Sequence, residues 1–425
     1  MQAVKSFDVV VLGASGFTGR LVCEHIARDY QGKVRWAMAG RDRAKLEEIK
    51  RNLTEINPGV QAVPVIVADA FDYPSLASLA QSSKVVINVA GPYAKYGDKV
   101  VEAAVNEGAH YCDLTGEVNW VNRMISRHHE TAKQKGVKVV HCCGYDSVPF
   151  DIGVLVVADH IRKKLGKGTS QVFGLMEDAR GGVSGGTIAS AMNMAVAEDP
   201  SDVKKAMGDK YYLCPPGERG SDSASMRALL PEWNRYSGAW MAPFVMEAVN
   251  SRVVHRSNAL TKGHYGSDFK YREAVSTKSL VGASLISVFM VVAGAVLNFG
   301  PLRAFAMRYL PKPGEGPSRE TMFNGYWKHA AIGLTEEEPG TEPQVVVAKC
   351  SDPHRDGGYW STARMLLESG LCLALDSDKL KEAGQLQGGV LTPATAMGLV
   401  LAGRLREAGI TFDVVQSPAL KQAAE

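Results

Sequence analysis

The sequence carries little net charge: 48 lysines and arginines stand against 45 aspartates and glutamates, for a net charge of +3. With no long basic block, that balance argues against a nucleic-acid partner. There are seven cysteines, an odd number, and no two at CxxC spacing. A disulfide framework and a zinc site are therefore not expected, and no metal is assigned; a reducing, intracellular setting fits better. HExxH and the P-loop GxxxxGK[ST] are missing, which sets aside the mechanisms that need them, and the glycine turn "GASGF" lacks the GxSxG spacing of a serine-hydrolase elbow. Phe7 already opens an apolar strand pattern, so no signal or transit peptide is expected. The final "LKQAAE" matches neither a peroxisomal nor an ER-retention signal. No internal repeat or low-complexity tract breaks the chain.

What is present is a chain of 425 residues with 45% apolar content, which suits two domains rather than one core. Phe7–Leu12 is a β-branched run readable as a strand buried on both faces. It runs into Gly13-Ala14-Ser15-Gly16-Phe17-Thr18-Gly19, and Leu21, Val22, Ile26 and Tyr30 follow at helical spacing. Strand, glycine turn and helix form a dinucleotide cradle. Glycines let the backbone approach a pyrophosphate, and the helix N-terminus offers free N–H groups and a positive dipole end. The second strand, "VRWAMAGRD", ends in Gly40-Arg41 where an acidic residue would read the ribose of NAD. Arg41 instead offers a planar cation to the 2′-phosphate of NADP, with Lys45 a helical turn further on. "AVPVIVADAFD" ends at Asp69, in reach of the adenine, and "KVVINVAGPY" ends at Ala90-Gly91-Pro92, beside the ribose and nicotinamide. Two more strands, "GAHYCDLTGE" and "VKVVHCCGYDS", leave through Gly/Asp-rich turns. The expected fold is α/β: a Rossmann-type, doubly wound parallel sheet over residues 1–150, then a second α/β substrate domain over 151–390.

The second half predicts a helix over "DIGVLVVADHIRKKL", a strand at "TSQVFGLMED" and another at "YGSDFKYREAVS". Ser184-Gly185-Gly186-Thr187 suits either a second anion nest or a plain helix cap. Residues 199–238 read as surface loops, and "MAPFVMEAVNSRVVHRSNAL" as a segment over the cleft mouth. "NGYWKHAAIGLTEE" and "PQVVVAKCSDP" read as a strand pair, "GYWSTARMLLESGLCLAL" as a helix. Thr392-Pro393 starts a further helix as N-cap and first residue, and a short strand follows it in 391–425. Ser279–Leu302 carries no charge, with Lys278 before it and Arg303 and Arg308 after. It is long enough to span a bilayer, yet both flanks lead back into one domain. A hydrophobic segment embedded in one leaflet or a lipid surface is preferred over a buried core helix or a true span.

With "AGRD", "NVAGPY", "HYCDLTGE", "CGYDSVPFDIG", "SGGTIASAM" and "GGVLTPATAMG" beside the glycine loop, the chain resembles the saccharopine dehydrogenase-like oxidoreductases, including the bacterial trans-acting enoyl reductases. The resemblance implies a second domain on a mixed sheet, with the C-terminal helix and strand of 391–425 packing back on the first domain. Animal relatives are associated with lipid droplets and membranes, which suits 279–302. Bacterial relatives reduce a double bond in glycolipid precursors. True saccharopine enzymes bind a compact dicarboxylate and lack so long an apolar run.

Reduction with NADPH needs a proton source near the nicotinamide. Tyr93, Tyr96 and Tyr145 are the candidates for that role; Lys95, Asp146, His141 and Cys112-Asp113 lie at the same strand ends. Three readings stay open. One is an NADP-dependent oxidoreductase, enoyl or keto, working on a lipid-like substrate at a membrane or lipid-droplet surface. Another is a catalytically silent NADP-binding structural protein of lipid surfaces. The third is a soluble saccharopine-type amino-acid dehydrogenase. A homodimer is left open.

Overall fold

The computed structural model describes residues 5–30, 32–182, 200–223, 229–301 and 315–415. Two seven-stranded sheets frame these residues. The first contains β1 (Phe7–Leu12), β2 (Trp36–Gly40), β3 (Val65–Val67), β4 (Ser83–Asn88), β5 (His110–Asp113), β6 (Lys138–Val140) and β13 (Gly389–Leu391). Its order is β13-β6-β5-β4-β1-β2-β3, and every pairing is parallel. Val9 and Val11 face one core while Val10 and Leu12 face the other. Helices on both faces leave β1 no wet side, which is why the strand is apolar nearly throughout.

Helix Phe17–Asp29 and helix Thr362–Leu375 cover one face of this sheet; helices Tyr73–Ser82, Asp98–Asn106 and Val118–Gln134 cover the other. The second sheet contains β7 (Thr169–Arg180), β8 (Glu232–Asn234), β9 (Ala239–Ala242), β10 (Lys270–Thr277), β11 (Tyr326–Thr335), β12 (Val345–Asp352) and β14 (Thr411–Val415). It is mixed: β7 and β10 run parallel in the order β14-β12-β11-β7-β10-β9-β8, and the other pairs are antiparallel. The apolar helix Val148–His160 leaves the first sheet and packs on β11, β12 and β14.

Two expectations need correction. The units are not consecutive blocks, because Thr362–Leu375 and β13 belong with the first sheet while the final strand, β14, pairs with β12 of the second. A strand's partner is set by edge geometry far away in sequence, which local pattern does not encode. Residues 199–238 are not all loop: Pro200–Gly208 is a helix and β8 and β9 form a hairpin. Pro200 at its start and Asp202 in its first turn are ordinary helix starters. The charge-free stretch is not a buried core helix. It forms the helix Leu280–Asn298, whose Ala283 is buried against β9 and β10, while Val281, Leu285, Val288 and Phe289 are 60–70% exposed. Among the described residues no helix is long and apolar enough to cross a membrane. The segment Ser184–Thr187 lies outside the described residues.

The second core holds one uncomfortable group. His329 on β11 is buried against the Phe150 ring at 3.9 Å, and neither ring nitrogen meets a partner among the described residues. Burial pushes its pKa down to about 3. The unfolded imidazole takes up its proton near its ordinary value, so folding loses stability as pH falls from there toward 3. His329→Leu is expected to raise the melting temperature at neutral pH. Its advantage over the parent is expected to widen on acidification, read from denaturant melts at pH 7.5 and pH 5. A constant difference would refute the titration argument.

Candidate active site: a nucleotide cleft joined to an apolar chamber

Parallel strands present their carboxyl ends to one edge, where open α/β sheets bind ligands. Here that edge opens into a cavity of about 820 Å³. β1 delivers Gly13, Ser15, Gly16, Phe17 and Thr18 to its wall; β2 delivers Arg41, β3 Asp69, and β4 Ala90, Gly91 and Pro92. Ten of the twelve expected cofactor residues are thus brought together. The other two, Gly19 and Lys45, do not line the cavity. Gly19 lies under the loop: a Cβ there would sit 2.2 Å from the Gly13 carbonyl oxygen. Lys45 is exposed and lies 3.8 Å from Asp42.

The cradle is shaped for an anion. Gly13 has φ of +89°, and a Cβ on it would lie 2.9 Å from the Ala90 amide nitrogen. Helix Phe17–Asp29 starts at Gly16 with no side-chain cap and no acidic residue in its first turn. Its leading N–H groups and dipole end therefore face the loop without competition from a side chain. Arg41 is exposed at the cavity rim and has no acidic partner among the described residues. The site fits a dinucleotide carrying a 2′-phosphate: pyrophosphate on the helix N-terminus, phosphate on Arg41.

The tyrosines separate. Tyr93 is on the wall but buried, and its hydroxyl donates to the Asn88 carbonyl at 3.1 Å. Burial pushes its pKa up. Tyr96 also lines the cavity, but its ring meets Phe71, beyond the end of β3, at 5.5 Å. Tyr145 does not line the cavity; it lies behind the wall, its ring against Trp327 at 5.0 Å and its hydroxyl toward the Met176 sulfur. Asp113 and His141 form a buried pair at 2.7 Å. Asp113 also accepts from Thr115 N and Tyr111 Oη, so the pair pins the turn after β5.

Sequence reading missed several walls. Glu117 accepts the Tyr93 and Ala94 N–H groups, each at 2.8 Å, and so fixes the turn after β4. Its signal was present in "LTGE" but had no partner in view. Tyr359 reaches over from beyond the second sheet and meets Phe17 edge-on at 5.3 Å. Val203, Ala206 and Met207 with Val245, Met246 and Val249 form an apolar chamber beside the nucleotide cleft. No local motif announces such a chamber, because its residues come from the helix Pro200–Gly208 and from the turn leading into helix Glu247–Leu260 and its first turn.

The comparisons agree with this geometry. Residues 9–140 match the family described as "Saccharopine dehydrogenase NADP binding domain". A trans-acting enoyl reductase of Mycobacterium leprae is 36% identical over 433 residues, covering 96% of this chain and 97% of that one. The chain belongs to the saccharopine dehydrogenase-like oxidoreductase family. A trans-acting enoyl reductase of Mycobacterium tuberculosis is 34% identical over 432 residues, covering 96% of this chain and 98% of that protein. The apo saccharopine dehydrogenase (L-Glu forming) of Saccharomyces cerevisiae shares the fold, with a TM-score of 0.55 at 12% identity over 96% of this chain and 99% of that one. This member of the family binds NADP(H) and is an oxidoreductase. Bound NADPH supplies a hydride. With the cofactor bound, the glycine loop and Arg41 would hold its phosphates and the surrounding walls would exclude water.

Proposed function

We propose that this oxidoreductase reduces an enoyl or keto group on a lipid-like substrate at a membrane or lipid-droplet surface inside the cell. One observation carries the substrate class. Arg41, at the 2′-phosphate end, is the only cation among the described residues that line the cavity. A compact dicarboxylate needs paired cations near the nicotinamide, and the chamber offers Val203, Met207, Val245 and Val249 instead. That favours an acyl chain over an amino-acid conjugate. The names of the mycobacterial relatives support the enoyl reading.

The surface assignment rests on helix Leu280–Asn298. Its outward side chains form an apolar stripe with Lys278 just before it, the composition of a segment that lies in a lipid interface. Leu285→Glu/Phe289→Glu is expected to keep NADPH affinity while reducing co-flotation with anionic phospholipid vesicles at least tenfold. Each side chain forfeits about 1.5–3 kcal/mol of apolar burial. Equal flotation of both proteins would remove the helix from the membrane argument.

The function itself is tested by fluorescence titration with NADPH and NADH, then by NADPH oxidation with a long-chain trans-2-enoyl thioester and with saccharopine. Oxidation with the thioester alone is the expected result. Oxidation with saccharopine alone would return the protein to amino-acid chemistry. Tight NADPH binding with no turnover of any enoyl or keto acyl probe would favour the structural reading.

A further inference from the structure

Three carboxylates line the cavity, and their situations differ. Asp69, after β3, accepts the Phe71 N–H at 2.8 Å. Glu117 holds two main-chain N–H groups. Asp146 follows β6, and its side chain accepts no hydrogen bond and pairs with no cation among the described residues. Only its main-chain carbonyl is engaged, by Asn250 Nδ2 at 2.6 Å.

Sheet order tells which end of the cofactor Asp146 faces. The glycine loop follows β1 and Arg41 follows β2, so the adenosine half runs toward β2 and β3 and the nicotinamide half toward β4, β5 and β6. Asp146 is thus on the nicotinamide side. It is open to the cavity, which protein encloses around it, next to Ser147 and in the same chamber as Met246 and Val249. Ser147 Oγ is bonded to Asn250 Oδ1 at 2.7 Å, so Asn250 fixes both the Asp146 main chain and its neighbour.

We infer that Asp146 is the proton donor of the reduction, a role that rests on the NADPH-dependent reductase reading. For an α,β-unsaturated carbonyl, the β-carbon receives the hydride, with its two electrons, from NADPH. The C=C π bond breaks, and its pair forms the new C–H bond at the α-carbon with the proton released from the Asp146 O–H. The substrate is reduced by two electrons, the hydride source is oxidised to NADP⁺, and Asp146 is left as a carboxylate. Water at the cavity mouth returns its proton.

The environment suits a donor. Desolvation pushes the Asp146 carboxyl up to about 6, toward the range in which a general acid works near neutral pH. The titratable groups that feel its charge are Cys142, Tyr145 and Glu273, and burial favours the neutral form of each. The three tyrosines are placed less well. Tyr93 gives its proton to Asn88, Tyr96 leans toward the adenine side, and Tyr145 is behind the wall.

The test uses the full chain, Asp146→Asn and Asp146→Glu, NADPH and a trans-2-hexadecenoyl thioester. Asp146→Asn is expected to bind NADPH as the parent does and to melt within a few degrees of it. Its kcat is expected to fall about 100-fold or more, the usual contribution of a general acid. The parent's kcat should decline as pH rises past the donor's pKa, and Asp146→Asn should lose that limb while Asp146→Glu keeps it. Independently of turnover, infrared pH-difference spectra of the cofactor-free protein should show a carboxylic-acid band titrating near pH 6 that is missing in Asp146→Asn. A variant within threefold of the parent's kcat, an unchanged pH limb, or a carboxyl titrating near 4 would overturn the assignment. A parent that binds NADPH but turns over no acyl probe would overturn the reductase reading instead, and the donor role with it.

Discussion

Gly19→Ala is expected to abolish measurable NADPH binding. The methyl group would sit 2.2 Å from the Gly13 carbonyl oxygen and 2.9 Å from the Ala14 Cα. Both are main-chain atoms, so no side chain can swing aside; the helix must move away from the loop. Forcing atoms into a packed site costs on the order of 1–3 kcal/mol. The displacement also carries the N-terminus of Phe17–Asp29 away from the position in which its N–H groups converge on phosphate. An affinity loss of 100-fold or more is expected by fluorescence titration, for NADPH and NADH alike. Wild-type affinity in Gly19→Ala would show that the loop is not the pyrophosphate site.

Arg41→Asp tests a different part of the same cofactor and should separate the two nucleotides. Hydrogen bonds to a charged group contribute roughly 1.5–3 kcal/mol, and the new carboxylate adds repulsion against the 2′-phosphate. NADPH is expected to bind about 100-fold more weakly, and NADH to change by less than threefold. Raising the salt concentration should narrow the gap, because Arg41 is exposed and its field is screened. Equal loss for both nucleotides would mean that Arg41 supports the fold of the β2 turn rather than reading the phosphate.

The nucleotide site was legible because its signals are local. Phe7–Leu12, the glycine turn and the helix after it follow one another within a few dozen residues, and each strand end could be read from its own sequence. The strand pair β11 and β12 was legible for the same reason, as was helix Thr362–Leu375 as an element. Its position was not legible. Nothing in "GYWSTARMLLESGLCLAL" says that it covers β1, β4 and β5, since that contact joins residues about 250 to 370 positions apart. The chamber was hidden likewise. Met207 and Val245 look like ordinary apolar residues until two distant helices set them on one wall. Asp146 was visible as a residue at a strand end. What sets it apart from Asp113, which is buried and paired with His141, is a carboxyl that faces the cavity with no partner among the described residues, and that placement is a property of the assembled fold.

Helix Thr362–Leu375 and β13 also bear on how this molecule comes into being. A ribosome releases the first six parallel strands long before the helix that shields Val85 and Ile87 and the strand that closes the β6 edge. Over some two hundred and fifty residues of synthesis, an apolar sheet face and an open edge stay bare. Such surfaces are those on which growing chains stick to one another. The nucleotide half therefore matures late although it is made first. A chain that stops short of residue 391 leaves the ribosome with its oldest part still unfinished.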